Sequence, residues 1–133
     1  MNTATFRTLC ETMGIEQSWV AEELGVGIRS VRRWCSPRET YVPEFAADWI
    51  SDWWDRYQDL VAAEVARIRA AGAPAILTRF DTGEGDVNVG LVPTLSMHEA
   101  LLGLVLAALA REDLDLDLAI EWDSAPEDLD LED

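Results

Sequence analysis

The placement of helix breakers constrains this chain more than any other feature of its sequence. Gly14, the pair Gly25 and Gly27, and Ser36-Pro37 cut the first forty residues into three short segments. The first, Thr3 to Met13, carries Phe6, Leu9, Cys10 and Met13 at i, i+3, i+4 and i+7, one apolar stripe of a helix closed by Gly14. The second, Gln17 to Leu24, puts Val20, Ala21 and Leu24 on one face. The third, Ile28 to Cys35, turns Val31 and Trp34 inward. Pro43 suits the first position of a fourth helix. From there to about Ala71 no breaker interrupts Ala46, Trp49, Ile50, Trp53, Tyr57, Leu60, Val61, Val65 and Ile68. Their spacing is helical throughout and reads as one long helix or two joined by a bend.

After "AGAP" (Ala71–Pro74), the best candidate boundary, the pattern changes. "AILTRF" (Ala75–Phe80) alternates and reads as a strand, "DTGEGD" as a turn, and "VNVGLV" as a second strand. Ser96 with Glu99 forms a capping box for a helix running to about Arg111. "DLDLDLAIEW" (Asp113–Trp122) alternates strictly and predicts a half-buried strand, with Leu114, Leu116, Leu118, Ile120 and Trp122 on one face. The expected fold is therefore mainly α: a helical domain over residues 1–72, a small α+β (strand–helix–strand) segment over 73–122, and an acidic tail over 123–133.

Charge divides the same way. The chain has ten arginines, no lysine and 26 acids, for a net charge of −16. Residues 1–72 hold eight arginines and eleven acids, a net of −3, and residues 73–133 hold two and fifteen, a net of −13. Yet "GVGIRSVRRWCSPR" (Gly25–Arg38) contains four arginines and no acid. A face so positive in so acidic a chain points to a polyanion; the bland alternatives are a simply solvated face, or one paired with Glu22, Glu23 and Glu39.

Other chemistry finds little support. Cys10 and Cys35 are not in a CxxC, and with one histidine, His98, they do not make a four-ligand metal cage. They read as reduced, partly buried thiols. His98 reads as a surface or capping histidine. "DTGEGD" lacks the remaining ligands of a calcium loop. "WISDWWDRYQ" (Trp49–Gln58) has core spacing, with Trp54 expected exposed. No nucleophile–base pair is visible, so neither an enzyme nor a cofactor is expected. The apolar run "ALLGLVLAALA" (Ala100–Ala110) is eleven residues against the roughly 20 a membrane span needs. With no signal-peptide pattern at the N-terminus, a soluble, cytoplasmic protein is expected.

The segment "QSWVAEELGVGIRSVRRW" (Gln17–Trp34) resembles the helix-turn-helix of the Cro/phage-repressor (Xre-like) family. Ala21 stands at the helix crossing, Gly25 at the turn, and Val20, Leu24, Val26, Val31 and Trp34 at the apolar pins. The resemblance covers roughly residues 3–60 and implies a four- to five-helix lambda-repressor-like domain. It implies that Gly27–Trp34 enters the major groove of double-stranded DNA, with Ile28, Arg29, Ser30, Arg32 and Arg33 outward. Arginine bonds guanine O6 and N7, and Ile28 suits a thymine methyl. Gln17 and Ser18 would meet phosphate, and Arg38, Thr40 and Tyr41 the neighbouring backbone. Cys35 departs from the pattern, since the family often carries an acid there.

A long helix followed by strand–helix–strand is similar in outline to small bacterial regulators of the YdiL-like kind and to anti-CRISPR-associated repressors, which dimerise through C-terminal segments. "ALLGLVLAALA" is apolar nearly all round, so both of its faces need cover, either from a second copy or within the chain's own core. Leu101, Leu102, Leu104, Val105 and Leu109 are the candidate homodimer contacts. The reading is a DNA-binding transcriptional regulator of repressor type, active as a homodimer on an inverted repeat. The rival is a protein-interaction module, an antitoxin or DNA mimic whose acidic second half binds a basic protein.

Overall fold

The structure, a computed structural model, describes residues 1–39, 41–71, 77–80, 91–118 and 120–123. It is mainly helical: α1 (Thr3–Met13), α2 (Gln17–Leu24), α3 (Ile28–Trp34), α4 (Glu44–Ala71), β1 (Leu77–Phe80), α5 (Leu95–Arg111) and β2 (Ile120–Asp123), with a 3₁₀ turn over Leu116–Leu118.

The breakers act where the sequence puts them. Asn2 caps α1, its Oδ1 accepting from the Thr5 amide at 2.7 Å, and Gly14 closes it in the left-handed region at φ 70°. Gly25 closes α2 at φ 66°. Segment four is a single continuous helix; it starts one residue after Pro43, whose carbonyl accepts from the Ala46 and Ala47 amides.

The chain divides into two compact units, Met1–Leu60 and Val61–Asp133. The division falls inside α4 and not at the "AGAP" linker. The reason is packing: Val65 and Ile68 of α4 belong to one buried cluster with Leu77 of β1 and Leu102, Val105 and Leu109 of α5. Each such aliphatic contributes about 1.5–3 kcal/mol by leaving water, so the last turns of α4 belong with β1 and α5.

The N-terminal unit buries Phe6, Met13, Val20, Val31, Ala46, Ile50 and Tyr57 completely. Trp19 of α2 lies 5.8 Å from Trp49 and 5.9 Å from Trp53 of α4, centroid to centroid, and Trp53 meets Tyr57 edge-on. This is the core expected of "WISDWWDRYQ", although Trp54 is half-buried instead of exposed.

In the C-terminal unit β1 and β2 pair in parallel, Leu77 opposite Ile120, with α5 in the crossover that parallel strands require. Three expectations need correction. The cap of α5 is Thr94, whose Oγ1 accepts from the Met97 amide at 3.2 Å; Ser96 lies inside the first turn, 3.3 Å from the Thr94 hydroxyl. The strand expected over Asp113–Trp122 is confined to Ile120–Asp123. Asp113 takes φ 62°, and Asp115 Oδ1 accepts from the Asp117 amide at 3.0 Å, so a local side-chain bond competes with the ladder. Leu116 is consequently 44% exposed. His98 is buried, and its Nε2–H donates to the Thr78 carbonyl at 2.5 Å, tying α5 to β1. The expected "DTGEGD" turn and most of the "VNVGLV" strand lie outside the described residues.

Candidate nucleic-acid interface

The candidate surface is the outer face of α3, and its inner face explains why it is held still. Val31, Trp34 and the capping Cys35 are buried. Trp34 is clasped edge-on by Phe6 of α1 at 5.9 Å and Phe45 of α4 at 5.7 Å, with rings within ten degrees of perpendicular. The turn before α3 depends on Gly25: its left-handed backbone lets the Val26 amide reach the Ala21 carbonyl at 3.1 Å.

The end of α3 is tied from a distance in sequence. Thr3 Oγ1 lies 2.9 Å from the Ser36 carbonyl and 3.0 Å from that of Glu39. Arg7 Nη1 donates to the Cys35 carbonyl at 3.5 Å. Burial raises the Cys35 thiol above its ordinary value, while the nearby Arg7 guanidinium and, less, Gln17 oppose the shift. Cys10, buried beside Cys35 and Glu11, is pushed up to about 12. Both thiols are free, protonated core groups.

Ile28, Arg29, Arg32 and Arg33 are exposed, and Ser30 is half-buried. Ser18 and Arg38 are exposed, and the Arg38 amide donates to Ser36 Oγ at 3.1 Å. Gln17 is half-buried and turned toward Cys35. Tyr41 is 73% exposed; Thr40 lies outside the described residues. Arg33, Trp34, Glu39, Tyr41 and Pro43 line an open groove of about 350 Å³ beside the end of α3.

The arginines sort by partner. Arg7 pairs with Glu11 at 3.1 Å, Arg67 with Glu64, Arg69 with Glu112, and Arg79 with Glu99 at 3.6 Å. Arg56 lies over the Trp53 ring at 4.4 Å. Arg29, Arg32, Arg33 and Arg38, and Arg111 at the end of α5, make no ion pair among the described residues, although Glu22, Glu23 and Glu39 stand close in sequence to the first four. Of the bland alternatives, pairing with those acids has no contact behind it among the described residues.

The candidate dimer residues fall differently. Leu101, Leu102, Val105 and Leu109 are each at most 2% exposed within the single chain, and Leu104 is half-buried. Of the two covers open to this helix, the chain's own core takes the face carrying Leu102, Val105 and Leu109. Leu101, Leu102, Val105 and Leu109 do not offer a free surface to a second copy; of the five candidates only Leu104 is partly accessible.

Three positioning residues escape sequence reasoning: Thr3, Arg7 and Phe45. Thr3 and Arg7 act on residues 28 to 36 positions away, and no local pattern signals such contacts. Among the described residues no group of histidine, cysteine and carboxylate side chains is arranged to hold a metal, and no helix is long and apolar enough to cross a membrane. No protein-family model and no curated protein matches the chain.

Proposed function

We propose that this protein is a sequence-specific binder of double-stranded DNA, a transcriptional regulator of repressor type with a helix-turn-helix formed by α2 and α3. The observation that carries the reading is the set of four exposed arginines on and beside α3, with no ion pair among the described residues, in a chain of net charge −16. An acidic protein that leaves its densest positive charge unneutralised has kept it for an external anion. The apolar clasp on Trp34 supports the same reading, because base readout needs a helix held in one orientation. No cofactor enters the mechanism, and no catalytic step is involved.

Seven residues of α3 rise about 10 Å, so a single copy reads only about three base pairs. A homodimer on an inverted repeat supplies the missing information. The net charge makes non-specific attraction weak, so specific contacts carry an unusually large share of the affinity. Repression follows by occlusion of a promoter, and a cytoplasmic location goes with this role.

The test is fluorescence anisotropy of the full chain against its own upstream DNA and a scrambled duplex, at several salt concentrations. The R29A/R32A/R33A triple variant is measured alongside. Binding of the native duplex alone, abolished in the variant, is expected; equal binding by wild type and variant refutes the reading. The charge of −13 over residues 73–133 favours a second reading, a module that binds a basic protein. Co-purification of a basic protein with the wild type, with no duplex bound, selects it.

A further inference from the structure

The arginines on α3 are not equivalent, and their placement specifies the class of DNA sequence they suit. At about 100° per residue, Ile28 and Arg32 form one ridge of the exposed face and Arg29 and Arg33 the next. Val31, Trp34 and Cys35 occupy the buried side. Arg33 stands at the C-terminal end, at the rim of the groove that it lines with Tyr41 and Pro43. Ile28 and Arg29 stand in the first turn, and Arg32 one turn after Ile28.

Building on the DNA-binding reading, we infer that Ile28, Arg29 and Arg32 read bases, that Arg33 with Tyr41 and Arg38 holds the sugar–phosphate backbone, and that each half-site therefore contains one thymine and two guanines. Three observations carry this. First, Ile28 is 36% exposed, an aliphatic side chain left in water on an otherwise cationic face; thymine is the base with an apolar group, its 5-methyl, in the major groove. Second, Arg29 and Arg32 have no acid partner among the described residues, and the exposed face of α3 offers no amide side chain, the type that pairs with adenine. A free guanidinium forms its two-pronged bond with guanine O6 and N7. Third, Arg33 is the last arginine of α3 and borders a groove beyond the helix that Trp34, Glu39, Tyr41 and Pro43 also line. The Tyr41 ring and Pro43 suit packing against deoxyribose, and a guanidinium at the helix end suits a phosphate contact. From Ile28 to Arg32 the helix rises about 6 Å, close to two base steps, so the thymine and both guanines fall within about three or four consecutive base pairs.

The experiment selects duplexes from a library with 20 randomised base pairs, using the full-length wild-type protein, and then edits the best duplex atom by atom. Uracil replaces thymine to remove the methyl, and 7-deazaguanine replaces guanine to remove N7. The expected result is a selected core with one thymine and two guanines. Each 7-deazaguanine should weaken binding about tenfold and the uracil by a smaller factor, with the uracil effect lost in I28A. R29A and R32A should lose discrimination at one guanine each. R33A should weaken all duplexes by the same factor and reduce the salt slope by about one. Selected cores without guanine, or indifference to 7-deazaguanine and uracil, overturn this assignment while leaving DNA binding intact. R33A that relaxes the preference at one base pair also overturns it. Failure to enrich any duplex overturns the DNA-binding reading itself. All four substitutions are at exposed positions, and thermal melts of each variant separate a lost contact from a lost fold.

Discussion

Replacing Tyr57 with phenylalanine removes one oxygen from the centre of the N-terminal unit. Tyr57 is fully buried, and its hydroxyl donates to the Met13 carbonyl at 2.8 Å. Met13 is the last residue of α1, so its carbonyl has no acceptor role inside that helix. The ring and its edge-on contact with Trp53 stay in place in the variant. The cost is then the hydrogen bond plus the penalty of a buried carbonyl left unpaired, about 1–3 kcal/mol. An unfolding entropy of about 2.1 cal/mol/K per residue over the full length gives roughly 4 °C of Tm per kcal/mol. Tyr57→Phe is therefore expected to melt about 4–11 °C below wild type at neutral pH, by calorimetry and by tryptophan fluorescence. If residues 1–60 melt by themselves, the smaller entropy roughly doubles the shift in the fluorescence trace. A Tm within a degree of wild type by both probes would refute the reasoning, because it would mean that the Met13 carbonyl reaches water. The alkaline limb gives an independent check. Burial raises the Tyr57 pKa, so the native state holds the phenolic proton more tightly than the unfolded chain. That contribution is intact below the ordinary value of 10.0 and is lost as pH rises above it, and Tyr57→Phe removes it.

Three further outcomes are expected. Cys10 behaves like Tyr57 with a lower onset: burial raises its thiol from 9.0 to about 12, so stability falls as pH rises between those values, and Cys10→Ala should flatten that fall in urea melts taken across the window. A Cβ at Gly25 would meet no atom within 4 Å, so Gly25→Ala should lower stability by the left-handed strain alone, about 1–2 kcal/mol, and Gly25→Asn by less; a neutral Gly25→Ala would mean the turn relaxes out of that conformation. Thr94→Ala should destabilise the C-terminal unit by about 1 kcal/mol and Ser96→Ala by less; the reverse order would make Ser96 the true cap.

Much of this protein was determined by its sequence alone. The ends of α1, α2 and α3 follow from Gly14, Gly25 and Pro37, because a positive φ or a missing amide acts within one or two residues of the breaker. The apolar stripe of α1 and the inward turn of Val31 and Trp34 follow from helical periodicity, and so does the exposed, arginine-rich face opposite them. The tertiary structure decided the rest. Alternation over Asp113–Trp122 did not become one strand, because the Asp115 carboxylate found the Asp117 amide first. His98 is a buried tie and not a surface group, because β1 brings the Thr78 carbonyl to it. Leu102, Val105 and Leu109 are core, because the last turns of α4 and β1 pack on them. The end of α3 is held by Thr3 and Arg7, and the four arginines of that region make no ion pair among the described residues while Arg7, Arg67, Arg69 and Arg79 find acids. Periodicity records which face of an element is apolar; it carries no record of which distant element covers that face or which acid an arginine meets, and those pairings are set only when the whole chain packs.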